Sequence, residues 1–219
     1  MPQIGVAGSP INHHPSSINH RGPRRELGKV TVVCGSMFAG KSEELIRRAR
    51  RALYARKRVQ VFKPAIDDRY DQSMVVTHEG VRHEAVPIAT ITDIWNRLWP
   101  DVQVVLIEEA QFFDERIVDV AVELADRGVE VILAGLDQDF RRQPFGPMPT
   151  LLAVADEVVK LRAICMKCGA PASHTQRIVD GRPAHKDDPL VMIGATDTYE
   201  ARCRRCYRLR GERTRSKRL

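Results

Sequence analysis

The sequence has no apolar run near the roughly 20 residues that a membrane-spanning helix requires. Its first 25 residues lack the continuous apolar core of a secretion signal, and the chain has no internal repeat of the kind that builds solenoids. These absences argue against a membrane protein, a secreted protein and a repeat protein. With 219 residues, 43% of them apolar, the chain can form one main domain with a core. We expect a soluble, cytoplasmic protein.

The charge is positive overall, with a net value of +7, and much of it lies near the two ends of the chain. Arginines precede the first predicted strand, and a run rich in Arg and Lys follows residue 207. Basic tails can bind the phosphates of nucleic acid. Blocks of like charge are more often solvated and disordered, and this is the interpretation that we prefer.

Runs of β-branched residues alternate with segments typical of helices. Strands are predicted at residues 29–34, 58–62, 102–107, 129–134 and 157–162, and the longer helices at 42–57 and 114–127. Shorter helices are predicted after Thr92, as an N-cap, and at 151–155, whereas residues 67–83 are predicted to be a loop or flap. The alternation favours right-handed βαβ units, and therefore an α/β fold with a mostly parallel sheet and flanking helices.

A phosphate-binding motif lies between the first strand and the first helix. The P-loop pattern G-x-x-x-x-G-K-[ST] is matched by Gly35, Ser36, Met37, Phe38, Ala39, Gly40, Lys41 and Ser42. Its glycines let backbone N–H groups surround the phosphates of a nucleotide, and the helix adds its positive end. Lys41 is expected to reach the β- and γ-phosphates, and Ser42 to ligate Mg²⁺. A plain glycine-rich turn would not explain the flanking strand and helix, so we predict a P-loop NTPase-type sheet.

Two adjacent carboxylates, Glu108 and Glu109, follow the third apolar strand. A P-loop needs a second acidic group to hold Mg²⁺, and the end of a neighbouring buried strand is a suitable place for it. Because side chains alternate along a strand, we expect Glu108 to face the metal and Glu109 to face the substrate. Without the P-loop, a solvated acidic turn would be the simpler interpretation.

Four of the five cysteines form two pairs, Cys165-x-x-Cys168 and Cys203-x-x-Cys206, with the spacing of two zinc knuckles. Four thiolates fill a tetrahedral site, so the predicted zinc is structural. Disulfides are the alternative, and the absence of a secretion signal argues against them.

The segment between the two cysteine pairs is predicted to be a small β-rich module. Asp180-Gly181 in this segment is the signal of a type I′ hairpin turn. His174 and His185 also lie here, and both are predicted to be surface residues rather than metal ligands.

Together these motifs resemble the type II thymidine kinases, the cellular, zinc-containing, tetrameric class. The resemblance covers residues 29–207 and includes the P-loop, the acidic pair with Ala-Gln-Phe-Phe after it, segments 135–141, 144–148 and 193–199, and the cysteines. It implies ATP and thymidine as substrates, Mg²⁺ with the ATP, a structural Zn²⁺ and a homotetramer. The family usually has Asp-Glu where this chain has Glu108-Glu109, so the first carboxylate is one methylene longer here.

The resemblance also implies roles for single residues. Glu109 corresponds to the catalytic base that takes the proton of the 5′-hydroxyl, and Asp67 and Arg69 correspond to a shared Asp-x-Arg-Tyr segment. Residues 190–199 resemble a lasso loop that closes over the base. The implied nucleoside pocket consists of Met37, Gln111, Phe112, Leu136, Phe140, Phe145, Met192, Gly194 and Tyr199. Core packing is the alternative for the phenylalanines, but their position in loops favours a pocket.

We therefore predict a flexible leader (1–27), a P-loop α/β kinase domain (28–163), a small zinc-ribbon-like lasso domain (164–210) and a basic tail (211–219). The expected function is transfer of the ATP γ-phosphate to the 5′-hydroxyl of thymidine or deoxyuridine, for nucleotide salvage. Two alternatives stay open. One is a zinc-ribbon P-loop ATPase stimulated by nucleic acid, and the other is a regulatory nucleotide-binding protein without chemistry.

Overall fold

The computed structural model describes residues 26–65, 74–76, 82–190 and 198–212. The strands of its first part are β1 (Val30–Cys34), β2 (Val59–Pro64), β3 (Met74–Val76), β4 (Arg82–Glu84), β5 (Val86–Ile88), β6 (Val104–Ile107), β7 (Glu130–Gly135) and β8 (Glu157–Lys160). The α-helices are α1 (Lys41–Tyr54), α2 (Ile94–Arg97), α3 (Arg116–Asp126) and α4 (Met148–Val154). Within these described segments, no helix combines the length and the apolar character needed to span a bilayer.

Six strands form one parallel sheet in the order β5-β2-β6-β7-β1-β8. Strands β1 and β6 are buried along their whole length, as expected for strands covered by helices on both faces. Neighbouring residues of β1 face two different cores. Val32 belongs to a core with Ile117 of α3 and Leu151 of α4, whereas Val33 belongs to a core with Leu45 of α1. The predicted α/β fold with a parallel sheet and flanking helices is confirmed.

All five predicted strands are present, with shifts of one or two residues at their ends. The sequence does not predict the sixth, β5, because three residues around Pro87 are too few to show a period. This strand lies at the edge of the sheet beside β2, where a proline is tolerated because one side of the backbone needs no partner.

The predicted N-cap of the short helix is wrong by one residue. Asp93 rather than Thr92 is the N-cap of α2, and a 3₁₀ turn at Ile91–Asp93, whose N-cap is Thr90, precedes the helix. The Thr90 N–H donates to the carboxylate of Asp93 at 2.9 Å, the reciprocal bond of a capping box.

The predicted loop at 67–83 also needs a correction. Strands β3 and β4 form an antiparallel ladder that pairs Met74 with Glu84 and Val76 with Arg82. The absence of a helical period in this segment is equally consistent with two strands of three residues, so the sequence pattern did not distinguish them from a loop.

The cysteine-containing region is built from short strands: β9 (Ala163–Ile164), β10 (Pro171–Ala172), β11 (His174–Val179), β12 (Arg182–Pro183) and β13 (Thr198–Arg202). Strand β10 pairs with β9, and β11 lies between β12 and β13 in a second antiparallel sheet. Asp180 and Gly181 join β11 to β12 with φ values of 49° and 71°. Both are positive, as a type I′ turn requires, which confirms the predicted hairpin.

Candidate active site

The P-loop connects β1 to α1, and two of its glycines occupy positions that another residue would strain. Gly35 has a φ of 148°, and a Cβ added there would lie 2.6 Å from the carbonyl oxygen of Leu161. Gly40 has a φ of 85° and is the N-cap of α1. The loop backbone can therefore lie close to its neighbours, and it leads directly into the N-terminus of α1, the end of a helix that favours anions.

Lys41 is the first residue of α1, and its Nζ donates to the carbonyl oxygen of Ser36 at 3.0 Å. Desolvation lowers the pKa of this ammonium group, whereas the negative charges of Glu109 and Glu108 oppose that effect. The cation and both carboxylates predicted to take part in phosphate transfer thus lie within electrostatic reach of one another.

Glu108 follows β6 directly and is only 9% exposed. Its Oε1 accepts a hydrogen bond from the Ser42 hydroxyl at 2.5 Å, although β7 separates β6 from β1 in the sheet. The structure therefore brings together the two residues predicted to hold Mg²⁺. A hydroxyl next to a carboxylate fits this ion, which prefers oxygen ligands, and the extra methylene of Glu108 does not keep the carboxylate from reaching Ser42.

Glu109 is half-buried and has a φ of 50°, in the left-handed region that is uncommon for residues other than glycine. It precedes a 3₁₀ turn at Ala110–Phe112. The sequence predicts that alternation along a strand makes the two carboxylates face in different directions. That reason is wrong, because β6 ends at Ile107, before both residues, and the chain changes direction at the turn instead. Unusual backbone conformations of this kind are often found at functional sites.

Gln111 fixes the Glu109 side chain. It is 2% exposed, and its Nε2 donates to Oε2 of Glu109. Its Oε1 accepts from the backbone N–H of Leu136 at 2.9 Å. One buried amide thus connects the carboxylate after β6 with the loop after β7, which carries other residues of the predicted nucleoside pocket.

Two of the predicted pocket aromatics are in contact. The rings of Phe112 and Phe145 meet edge to face, with centroids 5.6 Å apart and an angle of 85° between their planes. Both side chains and that of Leu136 are half-buried, which leaves part of their apolar surface accessible. Met192 and Gly194, like Asp67 and Arg69, lie outside the described residues.

Phe140 has different surroundings from those two rings. It is 4% exposed, and the guanidinium carbons of Arg141 and Arg177 lie 4.9 Å and 5.2 Å from its ring centroid. Its carbonyl oxygen accepts from the Tyr207 hydroxyl. The structure therefore places Phe140 where the loop after β7 packs on the cysteine-containing region.

His174 is a second contact between these regions, and its prediction as a surface residue is wrong. It is 2% exposed, its Nδ1 lies 3.1 Å from Oε1 of Gln138, and its ring meets that of Tyr207 at 5.5 Å between centroids. Gln138, which contacts His174, lies 36 residues earlier in the chain. The sequence around His174 therefore gives no sign that this residue is buried.

Two further residues at the P-loop are absent from the sequence-based prediction. The hydroxyl of Thr175 in β11 accepts from the backbone N–H of Met37 at 3.1 Å. Asp137, which is 7% exposed, pairs with Lys160 at 2.7 Å. Burial, and then the charge of Asp137, raises the pKa of the Cys34 thiol at the end of β1 to about 11.

Tyr199 is half-buried and lies opposite Arg177 in the ladder of β11 and β13.

The four paired cysteines form a cluster in which all Sγ atoms lie within 4.8 Å of one another, and Cys168 Sγ is 3.6 Å from Cys203 Sγ. Tetrahedral zinc with Zn–S bonds of about 2.3 Å places its sulfur ligands about 3.8 Å apart, so the cluster fits this ion. Each pair forms the same turn, since the carbonyl oxygens of Cys165 and Cys203 accept from the N–H groups three and four residues later. Burial opposes ionisation of Cys165, but backbone N–H groups outweigh it and lower the pKa of this thiol to about 6.

One comparison with known proteins bears on this site. The protein-family model described as TK, thymidine kinase, matches residues 28–207. The match starts just before β1 and ends just after the second cysteine pair, so it includes the P-loop, both carboxylates and all four clustered cysteines.

Proposed function

The chain belongs to the thymidine kinase family, and on that premise we propose that it transfers the γ-phosphate of ATP to the 5′-hydroxyl of thymidine or deoxyuridine. The product is the nucleoside 5′-monophosphate, and the physiological role is nucleotide salvage for DNA synthesis. One observation supports this reaction above all. The Glu109 carboxylate, within electrostatic reach of Lys41, is held by Gln111, which also binds the backbone of Leu136. An ATPase also needs a carboxylate, to position and deprotonate water, but it has no need for a half-buried aromatic pair beside that carboxylate.

The phosphates of ATP bind to the P-loop N–H groups and to Lys41, which neutralise charge as it develops on the transferred group. Ser42 and Glu108 would hold Mg²⁺, which adds positive charge at the phosphate oxygens when it is bound. Lys41 donates to the Ser36 carbonyl oxygen, so its side chain lies beside the loop that receives the phosphates.

Glu109 is the general base. The 5′-oxygen of the nucleoside attacks the γ-phosphorus, the bond from that phosphorus to the β,γ-bridging oxygen breaks, and ADP leaves. The hydroxyl proton passes to the Glu109 carboxylate as the new bond forms. Positioning supplies much of the rate in such reactions, and the hydrogen bond from Gln111 keeps the carboxylate in one orientation.

The nucleoside base lies between the contacting rings of Phe112 and Phe145 and the side chains of Met37 and Leu136. Apolar walls exclude water from the γ-phosphate, which limits hydrolysis of ATP. Phe140 belongs to the loop after β7, and its contact with Arg177 of β11 holds this loop, which also carries Leu136 and Phe145, against the cysteine-containing region. Tyr199 and residues 190–199 complete the pocket as a lasso loop.

The cysteine cluster holds one structural Zn²⁺ and leaves no ligand position for substrate. We also propose a homotetrameric, cytoplasmic enzyme with the division at residues 27, 163 and 210 given above. We assign no nucleic-acid site to the basic tail, most of which lies outside the described residues.

The test is transfer of labelled phosphate from ATP to each of the four deoxynucleosides, with ATP hydrolysis measured in parallel. The expected product is labelled thymidine 5′-phosphate, with deoxyuridine as the second substrate. ATP turnover that only single-stranded DNA stimulates would replace this function by the zinc-ribbon ATPase. ATP binding without any labelled product would leave a regulatory nucleotide-binding protein.

A further inference from the structure

A basic cleft lies between the loop after β7 and the cysteine-containing region. It consists of a cavity of about 790 Å³ and an adjoining cavity of about 290 Å³, which share Gln138, His174 and Arg204 as lining residues. Six cationic side chains line the two cavities: Lys160, Arg162, Arg204 and Arg205 in the larger, and Arg141 and Arg142 with Arg204 in the smaller. Among the described residues, no Asp or Glu side chain lines either cavity.

The cleft is separate from the phosphate site of the P-loop. No residue from 35 to 42 lines it. His174 and Thr175 are adjacent in β11, and side chains of adjacent strand residues point to opposite faces. Thr175 contacts Met37 of the P-loop, so its face of β11 is the one towards the P-loop. His174, which lines the cleft, is on the opposite face.

Some of the positive charge in the cleft is already balanced. Lys160 pairs with Asp137 at 2.7 Å, and Arg142 pairs with Glu212 at 2.6 Å. Arg205 interacts with the sulfur of Cys168. Within the part of the chain that the structure describes, Arg162 and Arg204 form no ion pair, and both side chains are exposed.

The cleft also contains an unsatisfied buried polar atom. His174 is 2% exposed and bonds Gln138 through Nδ1, whereas its Nε2 has no hydrogen-bond partner among the described residues. A buried nitrogen without a partner is costly, and such groups are rare in native structures unless a ligand or water satisfies them. The Gln138 oxygen can only accept, so Nδ1 of His174 carries the hydrogen in the neutral ring. Nε2 then accepts a hydrogen bond from a protonated phosphate oxygen, and it donates to an anion only when the ring is doubly protonated.

We propose that this cleft binds a small, multiply charged phosphate compound, with Arg162, Arg204 and His174 as its principal contacts. Guanidinium groups recognise phosphate oxygens through paired, charge-assisted hydrogen bonds. Several cations around one cavity favour a ligand with several negative charges. The volume suits a triphosphate, alone or as part of a nucleotide. The loop that supplies Gln138, Arg141 and Arg142 to the cleft also carries Leu136 and Phe145, so the ligand would lie next to the proposed nucleoside pocket.

The test is calorimetric titration of inorganic triphosphate into the full chain with its zinc retained and the P-loop saturated with ADP. We expect one triphosphate bound per chain. The double substitution Arg162→Glu/Arg204→Glu should weaken binding by about tenfold or more, since it removes two charge-assisted contacts and adds repulsion. The control Arg50→Glu/Arg182→Glu changes the net charge equally at exposed arginines that line neither cavity, and should leave the affinity within about twofold.

If the double variant does not fold, the milder substitution Arg204→Gln replaces it, after its zinc content and circular dichroism have been checked. Arg204→Gln should weaken triphosphate binding several-fold. A nucleoside triphosphate titrated under the same conditions distinguishes two supporting results: equal affinity means that the site recognises phosphate alone, and higher affinity means that it also contacts the nucleoside. Absence of triphosphate binding, equal loss in the control variant, or binding of single-stranded DNA alone would overturn the proposal. None of these readouts depends on phosphate transfer to thymidine.

Discussion

The backbone N–H of Met37 donates a hydrogen bond to the hydroxyl of Thr175 at 3.1 Å, across 138 residues of sequence. Two residues further along the P-loop, Ala39 packs against the apolar cluster that contains Cys165 and Cys203. The cysteine-containing region therefore contacts the P-loop directly, in addition to carrying the lasso loop that the family resemblance assigns to it.

Replacing Thr175 by valine tests this support. The substitution keeps the shape of the side chain but leaves the Met37 N–H without its acceptor, at a cost of about 1–2 kcal/mol. If the loop must keep this position to bind phosphate, the KM for ATP should rise roughly five- to thirtyfold. Thr175→Ser retains the hydroxyl and should stay close to the wild type. An unchanged KM for ATP in the valine variant would mean that the contact does not position the loop.

Removal of zinc should affect both substrates. Without the metal, repulsion among the thiolates and loss of the four bonds loosen β9 to β13, and with them the contacts of Thr175 and Ala39. We expect a chelator-treated protein, or Cys203→Ala, to show a raised KM for ATP as well as for thymidine, and zinc restoration to reverse the effect of the chelator. A rise in the KM for thymidine alone would show that the cysteine-containing region acts only through the lasso loop.

Gln111→Leu tests the orientation of Glu109, the carboxylate that we propose as the base. The change removes the bonds to Glu109 and to Leu136, and we expect kcat to fall by roughly one to two orders of magnitude, as for other losses of positioning. Gln60→Leu offers a matched control, because Gln60 is also buried and its amide also joins two groups, here the backbone carbonyl of Arg97 at 2.7 Å and the backbone N–H of Trp99 at 3.0 Å. Gln111→Leu and Gln60→Leu should both lower the free energy of unfolding, but only Gln111→Leu should lower kcat. Equal losses of kcat would reduce the role of Gln111 to packing.

Glu157 makes stability depend on pH. Hydrogen bonds from Arg48, and then from Lys29, lower the pKa of this carboxyl group from 4.5 to about 2. Its contribution is therefore fully present above pH 4.5 and is lost as the pH falls towards 2. The pair is partly exposed, so Glu157→Gln should reduce the free energy of unfolding by no more than about 1 kcal/mol at pH 6. Urea unfolding of both proteins between pH 6 and 3.5 should show this difference shrinking, whereas a difference independent of pH would contradict the assignment.

Much of this site follows from the sequence because its signals are local. The P-loop glycines, the carboxylates after an apolar strand and the cysteine spacings each occupy a few consecutive positions, and the order of parallel strands brings Ser42 to Glu108. Thr175, Asp137 and His174 carry no such signal, since each acquires its role from a partner far away in the chain. The strand β5 is too short for a period, and the left-handed turn at Glu109 depends on tertiary contacts rather than on propensity.

The central claim is that Glu109 activates the 5′-hydroxyl of a thymidine-like nucleoside next to a P-loop. Its most direct test is the initial rate of labelled phosphate transfer from ATP to thymidine by the wild type, by Glu109→Gln and by the exposed control Glu115→Gln. We predict that Glu109→Gln binds ATP and thymidine within a few-fold of the wild type while its kcat falls about 10²- to 10⁴-fold, and that the control is unaffected. A kcat near that of the wild type in Glu109→Gln would contradict the account.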